Sequence, residues 1–368
     1  MLIKKMKKII IFSEISWQFL RQRHHHLANY CLSKEYKVVF VQRVVSRIPP
    51  FREIIKRILL PRQKIRNNTN FNGVKICNSY FLPSTNFLFN LINQILFYVL
   101  YTRMTQGSIT WSFVDNPVFF SKLNRADIKV FDVVHNWWAY PDQTQTHKIN
   151  ASRCVSEADF VFYDTPAIKD KILNIRSSLL LPGVADEWFQ NLANKNIHLN
   201  NKITQPLSIV FFGNLRRNSD LDLINFFHSN KNYDLKLYGL IDTSITFFNN
   251  MPIKQFSGSE LVAAVSESSI ILLPYENDAF SRTIAPAKYF ESLATGLLVV
   301  SRANMTHLPG WKDFVFVIES PLDENIKNEI ESAILRHQYK VNQQIAFAKN
   351  ANWNLRFESA FSELMLND

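Results

Sequence analysis

The sequence predicts an α/β protein of two tandem Rossmann-like domains, and three observations predict it. Short apolar runs alternate with helical segments along the chain, the pattern of parallel sheets flanked by helices. The alternation pauses in the polar, asparagine-rich stretch 190–206 and then restarts. With 368 residues, 47% hydrophobic and 20% charged, the chain can fill two cores and is too apolar for wholesale disorder. The division read from this is a first domain over 1–190, a linker at 191–206, a second domain over 207–345 and a C-terminal helix at 346–368.

In the first domain Lys7–Phe12 reads as the opening strand, followed by a loop at Ser13–Ser16 and a helix over Leu20–Ser33. Lys37–Gln42 is the second strand. The stretch 50–66 weaves Ile, Leu and Phe among four Arg and two Lys. The turn Asn67–Asn72 leads to a strand at Val74–Asn78 and an amphipathic stretch at 87–101, which reads first as an ordinary core helix with a solvated basic face and second as added apolar area for a membrane interface. Further strands fit Ser108–Phe113, Val130–Val134, Phe160–Tyr163 and Ser178–Leu181. The second domain opens with the strand Leu207–Phe212, ending at Gly213. A helix near 219–229, a strand at Asp234–Tyr238, a helix over 259–266 and the strand Ser269–Pro274 follow. A helix over 286–294, the strand Leu298–Ser301 and a long helix over 323–350 complete it.

The formal net charge of +11 is unevenly spread: residues 1–70 hold 16 Lys and Arg against 3 Asp and Glu. Such an end favours polyanionic partners, whether nucleic acid, an anionic membrane surface or a phosphorylated substrate. The basic-apolar run 50–66 fits a helix lying in a membrane interface. The start "MLIKKMKKIIIF" reads as a strand and not a signal peptide. The apolar stretch Phe81–Tyr101 is too often interrupted by Pro, Ser and Asn to span a bilayer. Cys31, Cys77 and Cys154 lack CxxC spacing, which argues against a disulfide scaffold or cysteine-based zinc site and suggests a reducing compartment. A basic nucleic-acid-binding protein is the alternative class, but helix-turn-helix, RNP and zinc-finger patterns are missing. No GxGxxG follows the first strand, which counts against a dinucleotide enzyme.

The sharpest chemistry lies in "SIILLPYENDAFSRTIAPAKYFESLATGLLVVS", residues 269–301. Pro286 suits a first helical turn and Gly296 the left-handed residue after the helix. The amides of Ile284, Ala285 and Ala287 would then face the preceding loop, where helix-start amides favour an anion. Lys288 and Glu291, three apart, share one helix face. A cation for phosphates and a carboxylate for ribose hydroxyls is what a nucleotide-diphosphate site needs.

This segment resembles the donor-site signature of GT-B glycosyltransferases, P-x-K-x-x-E-x-L-A-x-G-x-P-V-V, through Pro286, Lys288, Glu291, Leu293, Ala294, Gly296, Val299 and Val300. Leu298 takes the usual proline's place, and Thr283 stands where many retaining members carry a first glutamate. "SIVFFGNLRRN" resembles the donor domain's opening strand and glycine loop. There Gly213 would let a ligand approach the backbone, and Arg216 or Arg217, with Arg216 preferred, would neutralise a leaving diphosphate. Ala158, Asp159, Gly183, Val184 and Phe189 match the passage between domains. Trp353 and Arg356 match the C-terminal helix that returns to the first.

"SWQFLRQRHHHLANYCLSKEYKVVFVQ" resembles the opening of bacterial polysaccharide glycosyltransferases of the teichuronic-acid and xanthan glucuronosyltransferase types. It points to Trp17, Arg23 and His26 as acceptor-side contacts, with the rest of the histidine run read mainly as solvent-facing. "VFDVVHNWWAYPD" resembles the family's Y-D-x-x-D-D-W motif and nominates His135 first and Asp132 second as catalytic groups, with Asp142 a further candidate. The resemblance implies an interdomain cleft and a nucleotide-sugar donor. It also implies a polyprenyl-diphosphate-linked or other glycan acceptor, work at the inner face of the bacterial cytoplasmic membrane, no nucleic acid and no metal, since helix amides, Lys288 and an arginine can supply the countercharge a divalent ion would bring.

Overall fold

Continuous buried runs of Ile, Val and Phe become the central strands of two sheets. The computed structural model describes residues 8–45, 69–134, 136–139, 143–193, 205–216, 218–241, 253–254 and 258–366. The basic stretch 50–66, most of 191–206, His135, Asp142 and Arg217 lie outside the described residues. The chain forms two units: Met1–Leu181 with Phe357–Asp368, and Pro182–Arg356.

The first unit carries β1 (Lys8–Phe12), α1 (Arg23–Ser33), β2 (Lys37–Gln42), β3 (Thr69–Phe71), β4 (Val74–Asn78), α2 (Phe87–Leu100), α3 (Thr102–Thr105), β5 (Ile109–Ser112), β6 (Ile128–Val133), α4 (Gln145–Glu157), β7 (Phe160–Tyr163) and β8 (Ser177–Leu179). Its sheet runs β3-β4-β2-β1-β5-β6-β7-β8, parallel except for β3 against β4. Ile9, Ile10 and Ile11 of β1 are all fully buried, as a strand covered on both faces requires. Strand order turns back between β1 and β5, the position where open parallel sheets bind ligands at their carboxyl ends.

The second unit carries α5 (Asp186–Ala193), β9 (Leu207–Leu215), α6 (Leu221–Ser229), β10 (Tyr233–Ile241), β11 (Ile253–Lys254), α7 (Gly258–Glu267), β12 (Ile270–Leu272), α8 (Ala287–Leu293), β13 (Leu298–Ser301), α9 (Trp311–Phe314), β14 (Val315–Val317), α10 (Ile326–His337) and α11 (Val341–Asn350). The all-parallel sheet runs β11-β10-β9-β12-β13-β14, with its turning point between β9 and β12. A last helix, α12 (Trp353–Met365), belongs to the first unit from Phe357 onward. There Phe361 stacks 5.7 Å from Trp111, which itself stacks 5.0 Å from Phe162.

Several expectations change. The helix expected over Leu20–Ser33 starts at Arg23, because the His25 ring accepts the Gln22 amide at 3.2 Å and closes the first turn there. The single helix expected over 323–350 is two, α10 and α11, broken at 338–340. The break lets His337 meet the Gly296 carbonyl at 3.1 Å while Gln344 donates to the Leu293 and Leu297 carbonyls at 3.1 and 3.0 Å. Both side chains thereby bond carbonyls at the end of α8 and in the turn that leads from it to β13. The stretch 87–101 does not carry a solvated basic face: α2 has no charged residue, and its exposed face is apolar.

Candidate functional site

In the second unit, the expected donor residues converge at the carboxyl end of the sheet, at the turning point between β9 and β12. Gly213 sits at φ +131°, and a Cβ there would overlap the Lys288 side chain. Glycine is therefore required both by the backbone and by the close crossing of a long side chain from α8. Lys288 extends over the Phe211 ring, its Nζ 5.3 Å from the centroid, and donates to the Asn214 carbonyl at 3.4 Å. Burial lowers its pKa to about 8; Arg216 adds to that, and Glu291 opposes it. Burial raises the Glu291 carboxyl, against the pull of Lys288. A poised ammonium and a poised carboxylate on one helix face are thus held beside a glycine loop.

Arg216, exposed, follows β9 in a small turn in which its amide donates to Ser219 Oγ at 3.0 Å and its carbonyl accepts the Ser219 amide at 2.9 Å. Tyr275, just past β12, completes the group. Burial raises its phenol pKa, while Arg216 and Glu291 act on it with opposite signs. Tyr275 escaped the sequence reading because only the strand order sets its loop beside that of Arg216; the two adjoin through a bridge between Ser219 and Tyr275.

Ahead of α8, Thr283 closes a turn by donating to the Phe280 carbonyl at 2.8 Å. His307 grips the Ile284 carbonyl at 2.8 Å. Pro286 is the N-cap of α8, one position earlier than expected, and Gly296 takes the left-handed conformation at φ +72°. Within the described residues, no backbone hydrogen bond occupies the amides of Ile284, Ala285 or Ala287. Farther back in this unit, Gly183 and Val184 meet Trp353: the Trp353 amide donates to the Val184 carbonyl at 3.1 Å, and a side chain at Gly183 would strike the Trp353 ring.

The first unit assigns other parts than those expected. Asp132 is fully buried; Arg23 Nη2 lies 2.7 Å from Oδ1, while Arg23 Nε and Trp111 Nε1 donate to Oδ2 at 3.0 and 3.1 Å. Arg23 also donates to the Leu180 carbonyl at 2.6 Å. This corrects both assignments: Arg23 and Asp132 tie α1, β5, β6 and the end of β8 together, and neither presents a group to an acceptor. Asp164, buried beside them, has its carboxyl pushed up to about 7 by burial and by Asp132, against the pull of Arg23.

The histidine run is mostly interior, not solvent-facing. His24 lies 2.7 Å from Ser13 Oγ and stacks 3.8 Å from Phe113, at the turning point between β1 and β5. His25 packs on Trp17 and Phe40 at 5.2 and 5.6 Å. Trp17 is itself buried against Phe40, which makes it a packing residue rather than an acceptor contact. His26 is half-buried, its pKa lowered to about 4 by burial, so it is a neutral imidazole at physiological pH. A further pair was not foreseen: His147 Nδ1 meets Asp115 Oδ2 at 2.6 Å, both buried, tying α4 to the loop after β5. Their separation of 32 residues hides the pair from local reading. Among the described residues no group of three or more His, Cys, Asp or Glu could hold a metal ion, and no helix is long and apolar enough to cross a membrane.

No protein-family model and no curated protein matches the chain. Solved structures do. HepE of Anabaena, in complex with UDP and glucose, is similar over 99% of this chain and 100% of its own, with a TM-score of 0.63 at 12% identity. Sucrose-phosphate synthase from Thermosynechococcus elongatus is similar over 98% and 100%, with a TM-score of 0.63 at 12% identity. A trehalose-6-phosphate synthase, from work on enzymatic glycosyltransfer with retention, is similar over 98% and 99%, with a TM-score of 0.62 at 10% identity. These likenesses show the fold: two Rossmann-like domains of the GT-B type.

Proposed function

We propose that the chain is a glycosyltransferase that moves a sugar from a nucleotide-diphosphate sugar to a glycan acceptor. The observation that carries this reading is the convergence of Gly213, Arg216, Tyr275, Lys288 and Glu291 at the turning point of the second sheet. Lys288 and Arg216 face the diphosphate, Gly213 gives the phosphates room, and Glu291 accepts from the ribose hydroxyls. The fold shared with HepE, which was solved with UDP and glucose, supports the same class.

In the transfer, the acceptor oxygen bonds to the anomeric carbon as the bond from that carbon to the diphosphate oxygen breaks. Charge grows on the leaving diphosphate, where Lys288 and Arg216 stabilise it without a metal ion. The acceptor proton passes to a base, for which His135 remains the candidate by its motif; Asp132 is withdrawn from that part. The acceptor is a lipid-linked glycan of the polyprenyl-diphosphate kind, and the work is bacterial surface-polysaccharide synthesis at the inner face of the membrane. The basic first unit and the resemblance to the teichuronic-acid and xanthan types support this finer reading.

Thermal-shift titration against UDP-, GDP-, CMP- and dTDP-sugars tests the class. One nucleotide series should raise the melting temperature, and Glu291→Ala should abolish that rise while leaving the unliganded melting temperature near wild type. A protein indifferent to all four series would remove the assignment.

A further inference from the structure

α2 is amphipathic in the wrong sense for a core helix. Two of its polar side chains, Asn90 and Asn93, look inward, while Gln94 is exposed: Asn93 is 0% exposed and pairs with both backbone groups of Leu82, accepting the Leu82 amide at 2.8 Å and donating to its carbonyl at 2.9 Å. Asn90 bonds the buried Ser84, whose carbonyl accepts from Asn150 of α4 at 2.7 Å. Phe97, buried, and Leu96 beside it seat the helix on the apolar core. The outward face is Phe87, Leu88, Leu91, Ile95, Tyr98 and Val99, with Phe87 82%, Val99 70% and Tyr98 63% exposed. These residues recur at helical spacing and form one stripe along the helix. A contiguous apolar stripe of this kind in water marks an interaction surface.

We propose that this face of α2 docks on an anionic lipid surface. Charge selects that occupant. Residues 1–181, which include α2, hold 26 Lys and Arg against 11 Asp and Glu, so a second copy laid on the same face would bring like charge against like. An anionic bilayer brings the opposite charge, and Arg103, exposed just past the helix, stands ready for headgroups. Inside the face the helix has no charge to bury, which is what insertion at the headgroup–acyl boundary requires. An aromatic ring at each end, Phe87 and Tyr98, suits the same boundary. The surface deepens the membrane-side part of the proposed function and rests on it for the acceptor, although docking and donor binding are separable measurements.

The full-length protein is sedimented with vesicles of phosphatidylglycerol and phosphatidylethanolamine, and with phosphatidylcholine alone. The wild type should pellet with the anionic vesicles and far less with the neutral ones. Leu91→Glu, Ile95→Glu and Val99→Glu combined should weaken that partition at least tenfold, with the melting temperature and the nucleotide-induced shift unchanged. Should the triple variant melt early, Phe87→Ser with Leu88→Ser at the first turn gives the same readout. The proposal is overturned if the wild type stays in the supernatant, or if a well-folded variant pellets like wild type. It is equally overturned if wild type is a dimer in solution that the variant dissociates, since a second copy then covers the face. Lost docking with an intact nucleotide shift leaves the enzyme reading standing; an absent shift with intact docking overturns that reading alone.

Discussion

Gly213 and Lys288 make one device, because the lysine can cross the strand end only where no Cβ stands. Gly213→Ala should therefore remove the nucleotide-induced thermal shift and, by forcing a side chain at φ +131°, cost about 1–3 kcal/mol of stability in urea unfolding. Lys288 itself carries a pH signature. Its pKa is lowered to about 8, so the ammonium proposed to meet the diphosphate is lost in the free protein as pH rises past that value. UDP affinity by calorimetry should fall above pH 8, by up to about tenfold per unit, while Lys288→Gln should bind weakly with no such slope. Asp164 works in the other direction. Its folded-state pKa of about 7 exceeds the ordinary carboxylate value of 3.8, so the folded protein holds that proton more tightly than the unfolded chain. This stabilisation is fully present below about pH 4 and lost as pH rises through 7, at up to about 1.4 kcal/mol per unit. Melting curves of wild type and Asp164→Asn at pH 4.5 and pH 8 should show the variant gaining relative to wild type at the higher pH; a constant difference would refute it.

Among the elements, α8 is the one that carries the proposed donor residues Lys288 and Glu291, and its carboxyl end is held by other helices. Gln344 of α11 donates to the Leu293 carbonyl at its last residue and to the Leu297 carbonyl in the turn that follows. Gln344→Ala should destabilise the fold by about 1–3 kcal/mol, read from chemical denaturation, and lower donor affinity less than Lys288→Gln does. The sequence made α8 and its flanking strands legible because a proline, a glycine and two buried strands punctuate them within 33 residues. It also made β1, β2, β9 and β12 legible, since strands covered on both faces read as unbroken apolar runs. α4 was not legible. Its sequence QTHKINASRCVSE buries His147 and Asn150 alongside Ala151, Cys154 and Val155, so the apolar period is broken by polar groups whose partners lie elsewhere. The same physics hid the roles of Arg23 and Asp132, which meet across 109 residues and read locally as an acceptor-side contact and a catalytic acid. The break between α10 and α11 was hidden too, because its residues carry neither Gly nor Pro and the partners of His337 and Gln344 on either side of it lie 41 to 51 residues away, in and after α8.

At the scale of the molecule, the chain supplies the first unit twice, at its beginning and again from Phe357 onward. The returning segment is not a loose tail: Phe357, Ala360, Phe361 and Leu364 are buried, and Phe361 closes a stack with Trp111, beyond which lies Phe162. Tyr30 of α1 packs on Phe357 and Phe361 at 5.7 and 5.4 Å, and Arg176 donates to the Leu364 carbonyl at 3.4 Å. The Trp111 indole that Phe361 covers is the same one that donates to Asp132, so this packing supports the buried Arg23–Asp132 pair. Phe361→Ala should then cost about 3 kcal/mol, the lower end expected for emptying a buried phenylalanine site. The loss should fall on the first unit: Trp111 emission should shift to the red at lower urea than in wild type. The nucleotide-induced shift, which the proposed function assigns to Gly213, Lys288 and Glu291 in the second unit, should survive in the folded variant. A Phe361→Ala protein with wild-type urea sensitivity would show that the last helix contributes nothing to the first unit beyond its place in the chain.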